Sequence, residues 1–238
     1  MLVIHSRKEL KKYCKANNIE LYDFNEPVAI ADGITSCEDM FKGCVKFNQH
    51  VVIPNSVLSC RNMFKNCANF NQSIKIPDDV EDCHSMFKYC VRFNQSVEIP
   101  IAARDCTEMF YGCATFNQSI MIPENVESCK CMLYDCELFN SPVTFAANAF
   151  VDCCMGMFDG CTSFNQPVVI PNNVTDCENM FNRCIALDSQ ITIPNSVVDC
   201  DCMFSCCYRF SWNLVLPSSV EHIMGVISGD YEIHIVRK

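Results

Sequence analysis

The chain has 238 residues, a formal net charge of −10, and half its residues are hydrophobic. That apolar share supports a large buried core and excludes a disordered chain. The acidic balance argues against nucleic acid, whose binders draw their affinity from Lys and Arg on phosphates.

At the N-terminus, residues 1–23 are predicted to form a strand–helix–strand cap. MLVIH supplies the first strand, and IELYDF the second. Between them, Ser6 and Glu9 read as a capping box opening a helix with Leu10, Tyr13 and Cys14. The opening MLVIHSRKELKKYC places its charges after its short apolar stretch, the wrong order for a secretory signal. No apolar run approaches the roughly 20 residues of a membrane-spanning helix. A cytoplasmic location without a membrane partner is therefore expected.

From residue 24 to 222 one unit is written eight times. Its first cysteine falls at Cys37, Cys60, Cys83, Cys106, Cys129, Cys154, Cys177 and Cys200, a 23-residue spacing broken only by 25 between Cys129 and Cys154. Taking that cysteine as position zero, Met stands at +3, Phe at +4 (Leu133 in one unit) and a second cysteine at +7. Positions 0, +3, +4 and +7 share one face of a 3.6-residue helix, so each unit is expected to carry a short helix. Ser36, Ser59, Asp82, Asp105, Ser128, Asp176 and Asp199 precede it as N-cap types. Phe-Asn-Gln follows at +10 to +12. Alternating Val or Ile at +14 and Ile at +16 predicts a strand with one buried face. Proline ends that strand, for example Pro54, Pro77 and Pro100. Residues 223–238, with YEIHIV, are expected to close the far end as a cap strand.

Neither element of a unit can bury its apolar face alone, whereas stacked units can. The expected fold is an α/β solenoid: a right-handed coil of leucine-rich-repeat type, with a parallel sheet on one face and short helices on the other. The pattern IPxSVxxCxxMFxGCxxFNQSVxIP resembles the BspA-like class of leucine-rich repeats, and its FNQ and IPNSV pieces are similar to FNIP repeats. Departures are the cysteine at zero, the unit around Phe145 with two extra residues and no Ile-Pro, and Phe210-Ser211-Trp212 in the eighth unit. The resemblance implies a curved interaction scaffold of the kind found in bacterial surface proteins, protists and viruses.

The 21 cysteines read as core residues. The odd count and the spacing on one face disfavour disulfides. Only Cys200, Cys202, Cys206 and Cys207 bunch as metal ligands do, and no metal site is expected. His84 beside Cys83 does not make a nucleophile pair, because neighbouring residues diverge on a helix. No phosphate loop or HExxH motif appears, so neither an enzyme nor a cofactor is expected. Asn48, Asn71, Asn94, Asn117, Asn140 and Asn165 at +11 should form a ladder that satisfies backbone groups.

Two surfaces remain as binding candidates. The variable strand positions include His50, Val52, Lys75, Glu98, Met121, Val169, Thr192 and Val215. A stripe at +5 holds Lys42, Lys65, Lys88, Tyr111 and Tyr134. The expectation is a non-enzymatic scaffold for a partner protein, in its narrowest form a phage- or virus-encoded effector sequestering a host protein. The alternative is a surface adhesin or carbohydrate-binding module.

Overall fold

A computed structural model describes residues 1–211 and 214–225 and the backbone of 236–237. Strand β1 (Leu2–Ile4) leads into helix α1 (Arg7–Ala16), a 3₁₀ turn at Leu21–Asp23 and strand β2 (Val28–Ile30). β1 and β2 pair in parallel, Leu2 opposite Val28. The cap is thus a coil of its own, with Leu10 and Cys14 buried beneath α1. The capping box does not form. The Ser6 side chain makes no cap bond, and the Glu9 carboxylate accepts from the His5 N–H and ring instead.

Eight coils then stack, and their expected helices are absent. Each Cys-x-x-Met-Phe-x-x-Cys segment is a train of tight turns. Met40, Lys42, Cys44 and Phe47 donate backbone N–H bonds three residues back, to Cys37, Asp39, Phe41 and Cys44. Cys37, Asp39, Phe41 and Gly43 donate instead to Ser59, Arg61, Met63 and Lys65 of the next coil. Alternate amides therefore close turns and join coils, and all are satisfied. The price is a left-handed residue at +2 and at +6 in every coil, from Asp39 (φ 55°) and Gly43 (φ 77°) to Cys202 (φ 56°) and Cys206 (φ 59°). An α-helix admits no such residues. The inward face is nonetheless the expected one, because a chain of turns also returns every three to four residues. The predicted cap residues cap the first turn: Asp82 Oδ1 and Asp105 Oδ1 accept from the N–H two residues on, at 2.9 and 2.8 Å.

The parallel sheet is shorter than expected. Strands β3 (Ile120–Ile122) and β4 (Val143–Phe145), β5 (Val168–Val169) and β6 (Ile191–Thr192), and β7 (Val215–Leu216) and β8 (Val236–Arg237) pair only two by two. At 51–53, 74–76 and 97–99 the buried–exposed–buried alternation persists without a described strand. The unbroken ladder runs elsewhere. Eight parallel bridges link the residue before each first cysteine, from Ser36–Ser59 to Asp199–His222. Of the expected C-terminal strand, only 236–237 falls among the described residues.

The core is columnar. Phe at +4 and Phe at +10 stack within a coil, Phe41–Phe47 at 4.4 Å and Phe64–Phe70 at 4.1 Å. They stack again between coils, Phe64–Phe87 at 5.7 Å. The column tilts where Leu133 interrupts it, the Phe139 and Phe158 planes lying 34° apart.

The cysteines have a second use beyond filling space. In seven coils the +7 thiol donates to the carbonyl of residue +4 in the preceding coil, as Cys67 to Phe41 at 3.0 Å and Cys161 to Leu133 at 3.1 Å. A small donor fits here where a hydroxyl would be more strongly hydrated. All described cysteines are free thiols. Burial pushes Cys37, Cys44, Cys200 and Cys207 up to about 12. Only Cys131, Cys153, Cys202 and Cys206 are half-exposed. Burial also pushes Cys131 up to about 11 and raises Cys153, so a thiol reagent at pH 8 is expected to modify Cys202 and Cys206 first, Cys131 and Cys153 slowly, and all 21 only after denaturation. Peptide mapping that found label spread evenly through the two columns would contradict this packing.

Candidate interaction surface

Every strand-face residue expected from the sequence is exposed: His50, Val52, Lys75, Glu98, Met121, Val169, Thr192 and Val215. Apart from His50, the residues immediately on either side of each are buried, since successive strand residues alternate sides. The apolar members stand far out of the core, Val52 at 68%, Met121 at 59% and Val169 at 80% exposure.

Three hollows adjoin one another along this face. The first, about 420 Å³, is polar, with His50, Ser73, Lys75, Ser96 and Glu98. The second, about 660 Å³, shares Ser96 and Glu98 with it and continues past Met121 to Thr144. The third, about 730 Å³, begins at Thr144 and spans Phe145 to Ala149, Pro167, Val169 and Pro171 to Asn173. Charge occurs only in the first two. The third contains no charged residue, and its polar edge is Thr144, Asn148, Asn172 and Asn173. It sits where the repeat gains two residues and loses its Ile-Pro. β4 ends at Phe145, opposite Ile122 at the end of β3, and two residues more than in other coils separate that point from the Phe150 N–H that bonds the Glu124 carbonyl at 3.1 Å.

Beside the trough runs the asparagine ladder, formed as expected. Asn71, Asn94, Asn117, Asn140 and Asn165 each donate their N–H to the Oδ1 of the preceding asparagine at 2.8–2.9 Å. Gln72, Gln95 and Gln118 add Nε2 bonds to the same oxygens at 3.0–3.1 Å. The ladder locks the entrance of each strand-face segment and so fixes the register of the trough.

The +5 stripe has a different character. Lys42, Lys65, Lys88, Tyr111 and Tyr134 are all half-buried. Lys42 pairs with Asp39 at 2.9 Å and Lys88 with Glu108 at 2.6 Å. Lys88 Nζ lies 4.0 Å over the Tyr111 ring, which stacks on Tyr134 at 4.5 Å. Tyr134 in turn receives the Arg183 guanidinium at 5.2 Å. Sequence reasoning missed Arg183, which reaches Asp159 at 2.8 Å and Asp135 of a coil further on at 3.0 Å. The stripe is thus a cross-coil brace in which several cations are already matched.

Among the described residues, the cysteine, histidine and carboxylate groups elsewhere are engaged as follows. Cys83 points into the core, while His84 turns to Asp105 at 3.5 Å. Cys200 and Cys207 belong to the buried columns. Asp199, Asp201 and His222 bring ligand atoms within 4.8 Å of one another, but each carboxylate already accepts a backbone N–H, from Asp201 and Met224. No described helix is long and apolar enough to cross a membrane.

Stacked coils, parallel pairing at one-repeat register and a columnar core define a leucine-rich-repeat solenoid. A leucine-rich repeat protein from Bacteroides ovatus is similar to it at TM-score 0.57 and 21% identity, covering 89% of this chain. The chain spans 55% of the length of that protein. A Treponema pallidum leucine-rich repeat protein reaches TM-score 0.44 at 20% identity over 78% of this chain and 72% of its own. A leucine-rich cell surface protein from Faecalibacterium prausnitzii reaches 0.43 at 20% identity, with 85% and 59% covered. No curated protein matches. The family described as "Mycoplasma protein of unknown function, DUF285" matches at residues 15–122, 77–170 and 105–216. The chain belongs to this family.

Proposed function

We propose that this solenoid is a non-enzymatic interaction module that binds a partner protein along the strand-face trough, centred on the irregular coil. The observation carrying this reading is the uncharged hollow of about 730 Å³ at the two-residue insertion, flanked by Val169 at 80% exposure. Volumes of this size suit specific recognition, with an apolar floor and a few polar groups to orient the guest. Insertions in repeat proteins map to loops on one face, often the binding face. Val, Met and Phe in the central part of the trough fit apolar side chains, and the amides of Asn148, Asn172 and Asn173 fit main-chain carbonyls. The polar hollow at His50, Lys75 and Glu98 then selects register by charge.

A glycan is the second reading, favoured by the company of Phe145 with those three amides. Nothing observed supports a virus-encoded effector, the narrower form of the protein reading. Co-purification from a source lysate, followed by mass spectrometry, is the test. The double substitution Met121→Lys, Val169→Glu is expected to weaken capture of a stoichiometric protein at least about tenfold, the usual cost of charge at an apolar anchor. Lys42→Ala should leave capture intact. Equal capture by both variants would exclude the trough. Glycan binding abolished by the double variant would favour the second reading.

A further inference from the structure

Helix α1 holds five basic residues in ten positions, Arg7, Lys8, Lys11, Lys12 and Lys15. Arg7 turns inward, donating to the Asp39 carbonyl of the first coil at 2.7 Å. Lys8, Lys11, Lys12 and Lys15 stand at i, i+3, i+4 and i+7, hence on one face, and all four are exposed. Among the described residues none of the four forms an ion pair, whereas Lys42, Lys46, Lys88 and Arg104 all do. Glu9, the one acid on the helix, is taken by His5. Like charges three and four residues apart repel, so this stripe costs α1 stability until an anionic surface meets it. Because the buried side of α1 rests on the first coil, the lysine face looks away from the stack.

The complement lies on the seventh and eighth coils. Asp176, Glu178, Asp199 and Asp201 stand close together, and none forms an ion pair among the described residues. They accept from the amides of Glu178, Asn179, Asp201 and Met224, and Asp176 also accepts from the Cys153 thiol at 3.7 Å. Burial and the neighbouring aspartates hold the Glu178 carboxyl above the usual carboxylate range.

We propose that the lysine face of α1 in one copy seats on the Asp176–Glu178–Asp199–Asp201 surface of a second copy, joining solenoids head to tail. The two patches are different and lie near opposite ends, so the contact is heterologous. Such a contact leaves a free lysine face and a free acidic face on every assembly and grows open chains.

Sedimentation velocity on the full chain tests this. Mass should rise with concentration at about 0.01 M salt, and association should weaken about tenfold or more at about 0.15 M, where the screening length falls from about 30 Å to about 8 Å. Lys8→Glu, Lys11→Glu, Lys12→Glu, Lys15→Glu together should give a monomer, as should Lys replacements at all four acids. Mixing the two charge-reversed variants should restore association, because the lysine face of one again meets the acidic surface of the other. Lys→Gln at the four helix positions, with circular dichroism, separates lost contact from lost folding. A wild-type chain monomeric at low salt and high concentration would overturn the proposal. So would association indifferent to the lysines, or a monomer that binds anionic vesicles through them.

Discussion

Phe87→Ala is expected to lower the unfolding free energy by about 3–5 kcal/mol, the range for large-to-alanine changes in a packed core. Phe87 is fully buried. Its ring meets Phe93 at 4.4 Å in its own coil, Phe110 at 5.5 Å in the next and Phe64 at 5.7 Å in the one before. Removing it opens a cavity and cuts the stack on both sides. The stack cannot collapse to fill the gap, because the inter-coil amide bonds hold the coils in register. In a solenoid each coil contacts only its neighbours, so the interface terms on either side weaken together. Urea unfolding should show a lower midpoint and a broader transition as the two halves uncouple. Phe87→Leu should cost much less, since Leu133 already occupies this column in the fifth coil. An alanine variant within about 1 kcal/mol of wild type would show that the ring column is not what holds the coils together.

Arg183→Met is expected to be the second most damaging of these changes, and its effect depends on pH. Asp159 is 5% exposed. Arg183 Nε donates to its Oδ1 at 2.8 Å and Asn182 Nδ2 to its Oδ2 at 3.2 Å. Burial already holds the Asp159 carboxyl above its ordinary range, with Arg183 opposing that rise. Without the guanidinium, a buried carboxylate keeps one amide partner. Loss of one member of a buried pair costs about 3–5 kcal/mol, and about 2–3 here, because Arg183 is 40% exposed and partly screened.

A carboxyl whose pKa is higher folded than unfolded binds more protons in the folded state between the two values. Stability therefore falls as pH rises through that window. The penalty is present in full above the folded pKa and is relieved on acidification toward the unfolded value. The Arg183→Met deficit should be largest at neutral pH and shrink as pH is lowered toward the ordinary carboxylate range. Adding Asp159→Leu should recover most of the loss and remove this pH dependence. A deficit constant from neutral pH down into the ordinary carboxylate range would mean that the packing of Arg183 over Tyr134, not its charge, braces the coils.

Gly160 shows how tightly that brace is set. A Cβ there would meet Asp135 Oδ1, and its φ of +76° is left-handed. The site admits glycine because the Asp135 carboxylate occupies the place a side chain would need.

Much of the architecture was legible in advance. Met86, Phe87 and Phe93 could be assigned to the core because identical anchors recurred at identical offsets, and a recurring anchor must stack on its copy. The asparagine ladder was legible for the same reason. The exposure of Val52, Met121 and Val169 followed from period two. The helix was misread because 0, +3, +4, +7 is the inward pattern both of a helix and of turns that advance three to four residues at a time. The discriminating signal lay at the other positions: Gly43, Gly112 and Gly160 at +6 and Asn62 and Asn179 at +2 are residues that tolerate left-handed backbone. Arg183, Asp135 and Asp159 could not be joined in advance. They sit on three successive coils, and which carboxylate an arginine reaches depends on how the two-residue insertion shifts one coil over another.

By itself the sequence determined that the chain stacks and which residues face inward, the two cysteine columns among them. These follow from repetition and local chemistry, which act within one unit or between a unit and its copy. Only the tertiary structure decided that backbone amides would alternate between closing turns and bridging coils, that the thiols at +7 would donate to neighbouring carbonyls, and that an uncharged hollow would open at the broken repeat. Each of those depends on the distance between adjacent coils, a quantity set jointly by all the columns packed between them.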